Sequence, residues 1–113
     1  MDLTAIYAHL DCSDLDDGIR WFSALFGRAP DDRPMKGLVE WHHGDASGLQ
    51  LFLAPDHAGH GTVTLMVTDL AAERERLRQA GFDVGNIEES SVGQILRLDD
   101  PDDNLVVLVQ TAA

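Results

Sequence analysis

The sequence predicts an α+β fold of two βαβββ modules forming a curved, incomplete barrel with the helices outside. A strand-like period gives way to a helix-like one twice, at Asp14-Leu15 and at Asp69-Leu70, fifty-five residues apart. Two hairpins, starting at Gly37 and Gly93, are fifty-six residues apart. Clusters of Gly, Pro, Asp and Asn punctuate the periodic segments. At 113 residues the chain is the size of one domain, so 1–113 reads as a single domain made of pseudo-repeats 1–56 and 57–113. Each helix covers one face of its sheet, leaving the other face for a partner or a cavity.

The elements follow in order. In "LTAIYAHLDC", Ile6, Ala8, Leu10 and Cys12 alternate with Tyr7, His9 and Asp11, the period of a strand with one buried face. "SDLDDGIRWFSALFG" then places Leu15, Ile19, Phe22, Leu25 and Phe26 in one helical stripe. Ser13 or Asp14 caps that helix, Asp16 and Asp17 suit its dipole, and Gly27 ends it. "RAPDDRP" holds at most a short edge strand, while "GLVEWHH" and "GLQLFLAP" are strands joined by the turn "GDAS". After "DHAGHG" the order restarts with a strand that points Val63, Leu65 and Val67 inward and a helix that turns Leu70, Leu77 and Ala80 inward. "DVGNIEES", "GQILRLD" and "NLVVLVQ" supply three further strands. In "RLDDPDDNLVVLVQ" the spacing fails a calcium loop at both diagnostic places, because the sixth residue from Asp99 is Asn104 and the twelfth is Gln110. Pro101, Asp103 and Asn104 are turn residues, and the stretch reads as a turn.

A net charge of −12 argues against nucleic acid and anionic membrane surfaces, which select Lys/Arg patches. With no basic leader and no long apolar run, the expected location is the cytoplasm. The single cysteine, Cys12, reads as a small buried hydrophobe. His42 and His43 are adjacent on a strand and point to opposite faces, so they do not share an ion. Glu40 and His42 share a face and read as an exposed ion pair rather than an acid/base couple. Trp21, at the margin of the first helical stripe, reads as packing or subunit contact.

The stretches "SDLDDGIRWFSALFG", "VTDLAAERERLRQAGFDV" and "DDPDDNLVVL", in that order, resemble the vicinal oxygen chelate superfamily of glyoxalase I, extradiol dioxygenases, fosfomycin-resistance and bleomycin-resistance proteins. The resemblance implies the glyoxalase/bleomycin-resistance-like fold. It places the family's four metal-ligand positions on Tyr7, Thr62, Val107 and either Gln50 or Leu51, with no carboxylate or imidazole among them. Asp103 stands where that family usually has Gly. The expectation is a metal-site-deficient member with no cofactor, no catalytic residue and no metal ligand.

Strand alternation from those positions lines the cleft with Tyr7, His9, Gln50, Phe52, Thr62, Thr64, Met66 and either Trp41 or His42. The function so implied is metal-independent binding of a small hydrophobic, planar or peptide-like molecule, aromatic or cationic, by a homodimer of the drug-sequestering kind. The alternatives are a superfamily lyase, isomerase or dioxygenase with a displaced metal site that includes His9, and an accessory interaction protein with a filled cleft.

Overall fold

A computed structural model describes residues 1–112. The order β1 (Ile6–Cys12), α1 (Leu15–Phe26), β2 (Asp32–Met35), β3 (Leu38–His43) and β4 (Ser47–Leu53) is followed by a turn of 3-10 helix at Pro55–His57. It then repeats as β5 (Thr62–Met66), α2 (Leu70–Gln79), β6 (Glu88–Ser90), β7 (Gly93–Asp99) and β8 (Leu105–Thr111). The strands form two four-stranded mixed sheets, ordered β1-β4-β3-β2 and β5-β8-β7-β6. In each, the first strand runs parallel to the last and the others pair antiparallel. The fold is therefore α+β, with no closed barrel among the described residues. Neither helix is long and apolar enough to cross a membrane.

Local chemistry sets the helix ends. Asp14, in extended backbone, accepts a hydrogen bond from the Asp17 N–H at 3.0 Å, and Gly27 closes α1 in the left-handed region at φ 73° while donating to the Ser23 carbonyl. Phe22 and Leu25 are buried against the first sheet beside Leu10, Cys12, Val39, Trp41 and Leu51. Each such side chain contributes about 1.5–3 kcal/mol of burial. Gly18 lets α1 lie close to β4, since a Cβ there would stand 2.7 Å from Leu51 Cδ2. In α2, Asp69 caps Ala72, and Leu70 and Leu77 are buried. Ala80 corrects the expectation: the helix ends at Gln79, and Ala80 is exposed.

The acidic turn is also a clasp between modules. Asp103 sits at φ 67°, and Asp100 Oδ1 accepts from the Asp102 and Asn104 N–H groups. Asn104, 1% exposed, reaches across to the Asp11 carbonyl at 2.9 Å, and Asp102 receives the N–H and hydroxyl of Ser13. Burial raises the Asp100 carboxyl above its ordinary value, against the pull of these N–H donors.

Candidate functional site

The register of the first sheet builds its open face in rows. Tyr7, Gly48 and His42 form one; His9, Gln50, Glu40 and Asp32 the next; Asp11, Phe52 and Leu38 a third. The Tyr7 ring lies over Gly48, where a Cβ would come within 2.8 Å of it, and its centroid is 5.9 Å from that of His42. Phe52 stands 6.1 Å from His9. The open face thus gathers Tyr7, His9, Gln50 and Phe52, as the alternation predicts.

A continuous side-chain network crosses these strands. Asp11 Oδ1 lies 2.9 Å from His9 Nε2, and His9 Nδ1 lies 3.1 Å from Gln50 Oε1. Gln50 Nε2 donates to Glu40 Oε2 at 2.7 Å, and Glu40 Oε1 lies 2.9 Å from His42 Nε2. Both His9 nitrogens face acceptors, a geometry fully satisfied only by the imidazolium. Burial alone lowers the His9 pKa, but its bonds to Gln50 and Asp11 together with the Asp11 charge outweigh it, and the net shift is upward. The bonds from His42 and Gln50 hold Glu40 below its ordinary value against the opposing effect of burial. Glu40 is only 7% exposed, so the exposed ion pair expected from the sequence is in fact half buried.

Trp41 takes the other face. It packs among Phe22 and Phe26, its Nε1 donates to the Arg28 carbonyl at 3.0 Å, and His42 is the residue of the pair that joins Tyr7. Thr62, Thr64 and Met66 project from β5 on the open face of the second sheet, with Val107 beside Thr64. The four positions carried over from the resemblance do not suit a divalent ion. Gln50 spends both amide atoms on His9 and Glu40, Tyr7 lies over Gly48, Thr62 offers only a hydroxyl and Val107 is a hydrocarbon.

A cleft of about 720 Å³ opens between the two sheets, where β1 and β5 are edge strands. β1 comes close to the residue just before β5, since a Cβ on Gly61 would meet Leu10 Cδ2 at 2.5 Å. Ile6 and Ala8 line one side, Val63 to Val67 the other, and Trp41 and Leu49 the apolar interior. His42, Arg28, Glu73 and Arg76 add polar groups. Arg76 is fixed by the Ala24 and Leu25 carbonyls at 2.9 and 2.6 Å and by Glu73, a cation at the C-terminal end of α1. Of the predicted residues, Trp41, Thr64 and Met66 line this cleft, whereas Tyr7, His9, Gln50, Phe52 and Thr62 do not. Ile6, Ala8 and Arg76 line the cleft outside the predicted set; the apolar side of β1 is the sequence signal for Ile6 and Ala8, and Arg76 on α2 has none. A shallower groove of about 470 Å³ lies on the outer surface beside Trp21, Phe82 and Pro101.

Residues 7–109 match the glyoxalase-like domain family. The chain belongs to this family. No curated protein matches the sequence at a significant level. Among solved structures, the glyoxalase/bleomycin resistance protein from Catenulispora acidiphila is 24% identical with a TM-score of 0.87, over 96% of this chain and 99% of that one. TnmS3, an antibiotic-binding protein from a Streptomyces species, is 21% identical with a TM-score of 0.83, over 99% of both chains. A bleomycin-binding protein solved with bleomycin is 23% identical with a TM-score of 0.79, over 95% of this chain and 98% of that one. At these identities the likeness is one of fold, and the fold is that of this glyoxalase-like family.

Proposed function

We propose that this glyoxalase-like domain binds a small planar or peptide-like molecule without needing a metal ion, and sequesters it rather than transforming it. The observation that carries the reading is the cleft between β1 and β5: its volume of about 720 Å³ lies within the roughly 300–1,000 Å³ of small-molecule pockets, and its walls are apolar with a few polar groups. Met66 supplies polarisable surface there and Thr64 a hydroxyl, while Trp41, 1% exposed, backs the apolar wall. Tyr7, His9, Gln50, Phe52 and Thr62 contact the parts of a larger ligand that extend over the open faces. The net charge of −12 favours a cationic ligand by steering. Structural neighbours that bind bleomycin and another antibiotic support the ligand class. The open cleft counts against an interaction protein with a filled one.

A homodimer belongs to this proposal, because the outer edge strand β2 carries exposed Met35 away from the cleft, and exposed edges tend to be covered. Sedimentation that yields only the monomer mass contradicts that part.

The test is thermal stabilisation of chelator-treated protein by bleomycin and by a cationic acridine. A ligand at about 100 times its Kd adds roughly 2.7 kcal/mol to the folded state. Ala8→Phe, which fills the cleft from β1, abolishes the shift while retaining the fold. Stabilisation that persists in Ala8→Phe, or none with either compound, refutes the proposed site and ligand class. The network joining Asp11, His9, Gln50, Glu40 and His42 favours a second reading, proton-transfer chemistry by a superfamily lyase or isomerase. Turnover of a hydroxyketone or hemithioacetal that is lost in His9→Ala would replace the sequestration reading.

A further inference from the structure

Beside Tyr7 and Gln50, two of the four positions carried over from the family resemblance, the first sheet brings together a different set of donor atoms. Asp32 on β2 is the register partner of Glu40 on β3, and an irregularity between Asp32 and Met35 separates this pair from the rest of the hairpin. His42 follows Glu40 by two residues and so shares its face. One ligand atom from each of Asp32, Glu40 and His42 lies within 4.8 Å of the other two. We propose that Asp32, Glu40 and His42 bind one divalent ion of the zinc, nickel or cobalt class on the open face of the first sheet.

The chemistry of the set selects that class. Two carboxylates and one imidazole suit borderline transition ions, whereas calcium and magnesium take oxygen ligands. Three protein ligands leave a coordination position open for water or for an atom of a bound molecule.

The supporting contacts are those of an oriented ligand. Glu40, 7% exposed, has Oε2 held by Gln50 at 2.7 Å, and Gln50 is held in turn by His9, which aims Oε1 at His42. Such outer contacts fix ligand geometry and strengthen metal affinity. The backbone of β3 is anchored at the same place, because the His42 N–H donates to the Asp31 carboxylate at 2.6 Å.

The electrostatics point the same way. Glu40 is an almost fully buried anion whose hydrogen-bond partners are an amide and an imidazole, and its ion pair among the described residues is with His42 alone. Hydrogen bonds from the amide and the imidazole keep Glu40 an anion without a fixed cation, so an incoming divalent ion meets a preformed and oriented charge. Glu40 Oε1 and His42 Nε2 are 2.9 Å apart and share one proton. Tetrahedral bonds of about 2.0–2.1 Å place neighbouring ligands about 3.3–3.4 Å apart. The ion therefore replaces that proton after the two side chains part by only a few tenths of an ångström. Exposed Asp32 closes the set from the solvent side and provides the route of entry. The site stands independently of the ligand-binding proposal, which requires no ion.

The experiment uses the untagged, chelator-treated full chain. Zinc chloride is titrated by calorimetry and cobalt chloride by its visible absorption, with no organic ligand present. One ion per chain is expected, with the cobalt bands of a low-symmetry nitrogen/oxygen site. Asp32→Asn and His42→Ala should each weaken binding roughly 10- to 100-fold or more. The double variant His57→Ala/His60→Ala, in the loop away from this sheet face, should bind as the parent does. Asp32 is exposed, so its variant stays informative even where Glu40→Gln fails to fold. The proposal is overturned by absence of saturable binding, by binding that survives both Asp32→Asn and His42→Ala, or by binding that vanishes with His57 and His60.

Discussion

Replacing Asn104 by Ala removes three side-chain hydrogen bonds from a residue 1% exposed. The lost contacts are Gly61 N–H to Oδ1 at 2.9 Å, Nδ2 to the Asp11 carbonyl at 2.9 Å and Nδ2 to Asp100 Oδ2 at 2.8 Å. The two neutral bonds are worth about 1 kcal/mol each, and the bond to the carboxylate about 1.5–3 kcal/mol. The expected destabilisation is therefore roughly 3–5 kcal/mol, or a fall in Tm of roughly 10–20 °C. Urea and thermal unfolding followed by circular dichroism measure it. Ser13→Ala, which removes only an exposed hydroxyl bond to Asp102, should cost about 1 kcal/mol or less. If Asn104→Ala costs no more than Ser13→Ala, the clasp between modules does not contribute as its geometry requires.

Further predictions concern the open face and the core. Gly48→Ala should both destabilise the sheet and displace Tyr7, since the new Cβ would lie 2.5 Å from the Trp41 carbonyl oxygen and 2.8 Å from the Tyr7 ring; unchanged Tyr7 and His42 NMR shifts contradict this. His9 has a folded-state pKa above its reference of 6.5, so its protonation stabilises the native state. The stability advantage of the parent over His9→Ala should be full below pH 6.5 and disappear as pH rises through the folded pKa; an advantage that grows with pH reverses the sign. Glu40, with a lowered pKa, contributes in the opposite sense: its stabilisation is present above about 4.5 and is lost as pH falls through the folded value. Cys12 is fully buried and its thiol is pushed up to about 12, first by burial and then by the surrounding aspartates, so thiol reagents should label it only on unfolding.

The repeated strand-to-helix switch was legible because strand and helix periods, Asp caps and turn residues are local signals. Asp14 and Asp69 both cap as their positions imply, and Gly27 ends α1. The face of Trp41 was legible in principle, because it alternates with Val39 and both are buried. The ambiguity came from pairing β3 with β4 across a short turn, where one residue of slip exchanges the faces. The burial of Glu40 was not legible: it depends on Gln50 and His42 reaching it across the sheet. Nor was the clasp, whose bonds join Ser13 to Asp102 and Asp11 to Asn104 over separations of 89 and 93 residues. The cleft is likewise a product of how two edge strands meet, which neither strand's own pattern encodes.

If the ligand occupies the gap between β1 and β5, amide chemical-shift mapping during titration with bleomycin or a cationic acridine reports it residue by residue. Saturable shifts concentrated at Ile6, Ala8 and Thr64 to Val67 are expected, with the Trp41 indole following. Shifts that instead concentrate on the outer groove at Trp21 and Phe82, or that fail to saturate, would contradict it.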